Sequence, residues 1–148
     1  DVTAISRTAS KKEESLGFGA VGFVETCNQA SIDAAKSTLD VILNTSSGVV
    51  GMDMYLSMLK PRGVMSCVGL PELDENNKTK FFPQSIVASE KSIVGDYLGA
   101  HHEYDEMLAF AAKHKILAQI ETSPLEEVNQ AVARVKDNAV RYRMVLVM

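Results

Sequence analysis

Tryptophan is absent from this 148-residue chain, and only four prolines and two cysteines occur in it. Two cysteines are too few for the disulfide scaffold of a small secreted domain, and Cys27 and Cys67 both sit in apolar contexts typical of reduced interior thiols. No apolar run approaches the ~20 residues that a membrane-spanning helix needs. Lys11, Lys12, Glu13 and Glu14 stand where a secretory leader would carry its apolar stretch. Net basic charge is also missing, since 15 Lys+Arg face 19 Asp+Glu for a formal charge of −4. That balance argues against nucleic acid as the partner, because phosphate backbones select a net positive face. The composition, 46% apolar and 23% charged, is that of an ordinary globular chain long enough for a real core. A cytoplasmic α/β domain, with no membrane and no nucleic-acid partner, is the expectation.

Strand-like and helix-like segments alternate throughout. Val2 to Ser6 is β-branched and apolar, and Ser10-Lys11-Lys12-Glu13 has the Ser-x-x-Glu spacing of a capping box opening a short helix. Phe23 to Thr26 predicts a strand, and residues around Ile32 to Lys36 a helix. Leu39 to Thr45 is the clearest candidate for a buried strand, followed by helical spacing of Val49, Met52, Leu56 and Leu59. Lys60-Pro61-Arg62-Gly63 predicts a turn before a strand over Val64 to Val68. Residues 72–80 are a polar excursion, and Ser92 to Leu98 is again strand-like. Tyr104, Met107, Leu108 and Ala111 mark an amphipathic helix. Ser123-Pro124-Leu125-Glu126 has the order N-cap, first-turn proline, acid, and Leu125, Val128, Val132 and Val135 form the buried stripe expected of the helix it starts. Arg141 to Met148 predicts a last strand. Such alternation implies a Rossmann-like, mostly parallel sheet with helices on both faces, forming one domain over residues 1–148. Ligands of these sheets bind at the carboxyl ends of the strands. The segments that matter are therefore Ser6-Arg7, Thr45-Ser46, Gly69-Leu70 and Asp96-Tyr97.

The usual dinucleotide signature, a strand, a Gly-x-Gly-x-x-Gly turn and a helix, is lacking. Gly17-x-Gly19-x-x-Gly22 has the spacing but follows a helix and precedes a strand, so it predicts a helix end and a turn. The chain starts on what corresponds to the second strand of such a fold. After that strand come Ser6, Arg7, Thr8, Ser10, Lys11 and Lys12, with no acid before Glu13. An acid there would accept the adenosine ribose hydroxyls of NAD, whereas hydroxyls and cations suit a 2′-phosphate. The same residues also read as a solvated helix start, and both readings stand at this point. His101-His102 with Glu103 and Asp105 do not make a metal site by spacing, because adjacent histidines diverge while zinc needs three or four converging ligands.

Six segments, in order, resemble the cofactor-domain C-terminal part of cinnamyl-alcohol-dehydrogenase-like, zinc-type medium-chain alcohol dehydrogenases. They are Ala4-Ile5-Ser6-Arg7, Lys11 to Glu14, Leu59-Lys60-Pro61-Arg62-Gly63, Val68-Gly69-Leu70-Pro71, Ser92-Ile93-Val94-Gly95 and Val140-Arg141-Tyr142-Arg143. The resemblance implies an NADP(H)-dependent oxidoreductase interconverting primary alcohols and aldehydes. Zinc would be held only in the family's catalytic domain, which this chain lacks together with the first strand and the glycine-rich turn. It implies that Ser6, Arg7 and Lys11 hold the 2′-phosphate, that Thr45 flanks the nucleotide, and that Gly69 lets the backbone approach the nicotinamide end. Asp96, Tyr97 and Leu98 would contact the nicotinamide through backbone groups, and Arg143 would reach the pyrophosphate. Family members usually carry a small hydroxyl residue at the position of Asp96, and many carry Asp at that of Val21. A homodimer through the Ser92 to Leu98 region also follows from the resemblance. No catalytic residue or metal ligand is assigned to the chain, which alone would be inactive. A zinc-free quinone or enone reductase of the same superfamily, or a non-catalytic nucleotide-binding or dimerisation module, are the alternatives.

Overall fold

The computed structural model describes residues 1–46, 48, 51–70, 74–75 and 78–148. These divide into two compact units, Asp1–Tyr97 and Leu98–Met148. The first unit is α/β, with parallel strands flanked by helices. Its strands are β1 (Thr3–Ser6), β2 (Gly22–Glu25), β3 (Leu39–Asn44), β4 (Leu59–Cys67) and β5 (Ser92–Gly95), and its helices α1 (Lys12–Gly17), α2 (Gln29–Ala35), α3 (Met52–Met58) and α4 (Gln84–Val87). β1 and β2 form one parallel pair, and β3-β4-β5 a separate parallel sheet. Among the described residues β1 and β3 each pair on one side only, so each leaves a row of backbone groups on the other.

One apolar core joins the two sheets. Ile42, Met65 and Ile93 lie opposite one another across β3, β4 and β5. Ile42 and Met65 pack in one cluster with Val24 of β2, Ile32 and Ala35 of α2, and Met52, Leu56 and Met58 of α3. Ile5 of β1 and Ile93 of β5 pack against its margin. Leu56, Met58, Leu59 and Met65 are fully buried, each contributing about 1.5–3 kcal/mol from removal of apolar surface from water. The other face of β3 is bare: Val41 and Leu43 are each 63% exposed, so β3 is buried on one side only and not on both as its apolar run implies.

Several local expectations meet a different outcome in the fold. No side chain caps α1; its start is a 3₁₀ turn, Ala9–Lys11, and the Ser10 hydroxyl instead meets that of Thr8 at 3.0 Å. The segment Lys60 to Gly63 is not a turn between elements but lies inside β4, as an irregularity opposite Leu39 and Val41 of β3. Arg62 takes a left-handed conformation there, φ 63°, and a Cβ on Gly63 would lie 2.9 Å from the Lys60 carbonyl oxygen. Leu59 and Val64 pair with β3 on either side of the segment and the Arg62 N–H donates to the Ser89 carbonyl at 2.9 Å, so β4 runs on through the Pro-x-Gly sequence. Gly17 ends α1, Gly19 has φ 100° and Gly22 opens β2, the helix end and turn predicted for that glycine set. Cys27 is exposed and Cys67 half-buried, both as free thiols, so the expectation of two interior thiols fails for Cys27. Val49 and four residues of the 72–80 excursion (72, 73, 76 and 77) lie outside the described residues.

The second unit holds α5 (His101–His114), β6 (Ile120–Pro124), α6 (Val128–Lys136) and β7 (Arg143–Val147), with β6 and β7 parallel. Ser123 and Pro124 belong to β6, and a 3₁₀ turn at Leu125–Glu127 separates them from α6. The Ser123 hydroxyl donates to Glu127 Oε2 at 3.2 Å and is no N-cap. Within α6 the buried residue is Ala131, while Leu125, Val128, Val132 and Val135 are exposed, as are Tyr104, Met107 and Leu108 on α5. Glu121 ties this unit together: its carboxylate accepts the Arg141 N–H at 2.6 Å and pairs with Arg134 of α6. Those contacts hold its carboxyl below its ordinary value of 4.5. A depressed carboxyl pKa stabilises the folded state above the unfolded value and loses that contribution as pH falls through the folded one. Denaturant unfolding of the chain from pH 7 down to pH 3 should therefore lose stability below about pH 4.5, and Glu121→Gln should flatten that fall. An unchanged slope in the variant would rule this contribution out.

Candidate functional site

Three adjacent parallel strands end side by side at Asn44, Cys67 and Gly95. The ladder continues a little beyond them. The Asn44 carbonyl accepts the Val68 and Gly69 N–H groups, both at 3.0 Å, and the Cys67 carbonyl accepts the Asp96 N–H at 3.2 Å. Asn44 Oδ1 accepts the Ser46 N–H at 3.1 Å, which bends the chain as it leaves β3. Gly69 is required by a close approach of backbone to backbone. A Cβ there would lie 2.0 Å from the Ser46 carbonyl oxygen, so only glycine lets the strands' ends come this near. A Cβ on Gly95, by contrast, would meet nothing within 4 Å. The result is a ledge carrying Thr45, Gly69, Asp96 and Tyr97, with Thr45, Asp96 and Tyr97 exposed. Asp96 Oδ1 accepts the Tyr97 N–H at 2.8 Å, which occupies that amide locally.

The second group stands at the carboxyl end of β1. Pairing with β2 runs past the strand itself: the Thr26 N–H donates to the Ser6 carbonyl at 2.9 Å and the Cys27 N–H to that of Arg7 at 3.0 Å. Arg7 is thus the last residue whose backbone is held by the sheet before the 3₁₀ turn begins at Ala9. Ser6 is half-buried, and Arg7, Thr8, Ser10 and Lys11 are exposed. A hydroxyl, a guanidinium and an ammonium within this short stretch, with no acid among them, form a donor set suited to a phosphate dianion. Tyr55 of α3 stands beside Thr26 at the end of β2. The Tyr55 hydroxyl hydrogen-bonds Thr26, and burial of the ring pushes its pKa above the usual value for tyrosine.

Thr45, Gly69, Asp96 and Tyr97 are therefore brought together, with Ser6, Arg7 and Lys11 on the neighbouring pair of strands. Leu98 and Arg143 belong to the second unit. There Leu98 is 70% exposed, and Arg143 begins β7 with its N–H donating to the Gln119 carbonyl at 3.2 Å. Sequence reasoning did not single out Thr26, Tyr55 or the turn that carries Asn28 and Ser31. The Asn28-x-x-Ser31 pattern was a usable signal, since Asn28 is the N-cap of α2 and its side chain accepts the Ser31 N–H. Among the described residues no three His, Cys, Asp or Glu side chains are grouped as a metal site, and no helix is long and apolar enough to cross a membrane.

A family model described as zinc-binding dehydrogenase matches residues 1–113. The chain belongs to that family, as the cofactor-binding part of a zinc-type medium-chain alcohol dehydrogenase close to cinnamyl-alcohol-dehydrogenase-like proteins. It is 39% identical over 146 residues to a probable cinnamyl alcohol dehydrogenase of Oryza sativa, covering 98% of this chain and 39% of that protein. An NADP-dependent alcohol dehydrogenase of Mycolicibacterium smegmatis is 34% identical over 146 residues, covering 99% of this chain and 41% of the relative. Among solved structures, a cinnamyl alcohol dehydrogenase of Sorghum bicolor superposes with a TM-score of 0.90 at 35% identity, over 98% of this chain and 40% of that one. The chain thus spans about two fifths of the length of the curated relatives it matches. Replacing Gly69 with Ala should destabilise the protein by about 1–3 kcal/mol or more through overpacking against Ser46. Chemical denaturation is the measurement, and a variant as stable as its parent would exclude the close approach described.

Proposed function

We propose that this chain is the NADP(H)-binding portion of an oxidoreductase that interconverts primary alcohols and aldehydes by hydride transfer. The observation that carries the reading is the donor set at the end of β1. Arg7 and Ser6 stand on backbone pinned by Cys27 and Thr26, and Lys11 ends the adjoining 3₁₀ turn. In a dinucleotide fold this end of the second strand meets the adenosine ribose, where an acid selects NAD and cations select the 2′-phosphate. Arg7 would supply a planar pair of donors to the phosphate, Lys11 a second positive charge, and the Ser6 hydroxyl a neutral hydrogen bond. The bound cofactor supplies the hydride at its nicotinamide carbon.

Thr45 and Gly69 would border the nucleotide on the ledge, Gly69 by keeping the two strand ends close. Asp96 and Tyr97 would meet the nicotinamide end through backbone groups, although the Tyr97 N–H is already taken by the Asp96 carboxylate. The assignments of Leu98 to the nicotinamide and Arg143 to the pyrophosphate rest on the family resemblance. Zinc finds no ligand set among the described residues, and no step is routed through it.

Titration of the chain with NADPH and, separately, NADH, followed by nicotinamide fluorescence, tests the reading. NADPH should bind at least about tenfold more tightly, and Arg7→Asp should remove that preference by placing an acid against the phosphate. Equal affinities in the parent chain would overturn it.

The side of β5 away from β4 suits self-association, because among the described residues β5 is an edge strand, with Val94 43% exposed and Tyr97 71% exposed just beyond it. A homodimer through this edge is the expected assembly. Sedimentation velocity should show a dimer that Val94→Lys dissociates, and a monomer at all concentrations would end this part of the proposal.

A further inference from the structure

We propose that Ser31 is a positioning residue for 2′-phosphate selection, an inference that rests on the NADP(H) reading above. Ser31 lies on the first turn of α2, outside the basic cluster, and its role comes through a short chain of hydrogen bonds. Its hydroxyl oxygen accepts the Glu25 N–H at 3.0 Å, and its own N–H donates to Asn28 Oδ1 at 3.3 Å. The Asn28 N–H closes the turn by donating to the Glu25 carbonyl at 3.2 Å. Residues 25–28 are therefore bonded at both ends, and the two amides between those ends point the other way, to β1. The Thr26 N–H holds the Ser6 carbonyl and the Cys27 N–H holds that of Arg7.

The regular ladder between β1 and β2 stops at the Ser6–Glu25 pair, so Arg7 owes its backbone position to this turn. A guanidinium reaching a phosphate with two parallel N–H groups depends on where its Cα is held, since the long side chain otherwise spreads over many rotamers. Loosening the turn should weaken contact with the 2′-phosphate and leave the contacts that NADH also makes. Ser31 touches neither nucleotide in this account and acts through Arg7.

The test is the NADPH and NADH affinity of the full chain carrying Ser31→Ala, Ser31→Thr, Arg7→Ala or the Ser31→Ala/Arg7→Ala pair, with thermal unfolding run on each. Ser31→Ala should weaken NADPH roughly three- to tenfold with NADH unchanged. Ser31→Thr keeps the hydroxyl and should restore the preference. In the Arg7→Ala background Ser31→Ala should have no further effect, because the group it positions is gone. Equal weakening of both nucleotides, or an unchanged ratio beside a clear loss in Arg7→Ala, would overturn the inference while leaving the NADP(H) reading intact. No NADPH preference in the parent chain, or no loss of it in Arg7→Ala, would bring down that reading and this inference with it. If Ser31→Ala does not fold, Asn28→Gly opens the same turn from its other end at little cost to the helix cap, and the same outcomes decide.

Discussion

The pairing of all five strands of the first unit in parallel, around one apolar cluster, is the constraint from which the site follows. Ile42, Met65 and Ile93 stand in one row across β3, β4 and β5, and Leu56 and Met58 of α3 close over the cluster they belong to or border. Because Val24 of β2 and Ile5 of β1 pack into the same cluster, side chains hold the separate β1–β2 pair to the three-stranded sheet, with no strand pairing between the two among the described residues. Parallel strands set side by side must end side by side. The functional candidates on β3, β4 and β5 share an edge for that reason.

At that edge the chain uses backbone where other sites use side chains. Gly69 is required because the Ser46 carbonyl occupies the space of its Cβ, and the Asn44 carbonyl takes two amides from the neighbouring strand's end. Around Arg7 the same economy applies, with amides of the β2–α2 turn fixing the segment that bears the cation. A surface arginine in the sequence is thereby one with a held backbone and an exposed head, the combination a charged ligand group needs. The family's remaining length, about three fifths of its curated relatives, lies beyond what this chain spans. The free edges of β1 and β3 and the bare Val41 and Leu43 face are among the parts of the fold left uncovered among the described residues.

The sequence by itself determined the α/β class, the succession of strands and helices, the family and the residues at strand ends, because these depend on local apolar pattern and on which residue follows which strand. It did not determine which apolar faces are buried. The stripes on α5 and α6 and the outer face of β3 are as apolar as the core, and only packing partners separate Leu56, fully buried, from Leu108, 60% exposed. Nor could it place Lys60 to Gly63, whose turn chemistry is real but sits as an irregularity inside β4, between the pairs that Leu59 and Val64 make with β3. Ser10 and Ser123 carry helix-start signals, but their hydroxyls bond the nearby side chains of Thr8 and Glu127 instead. Tertiary structure alone decided that Gly69 must be glycine, that Cys27 lies open, and that the turn of Asn28 and Ser31 fixes Arg7. The first and last of these are contacts between segments distant in sequence, and a local pattern carries no information about where a distant carbonyl will be.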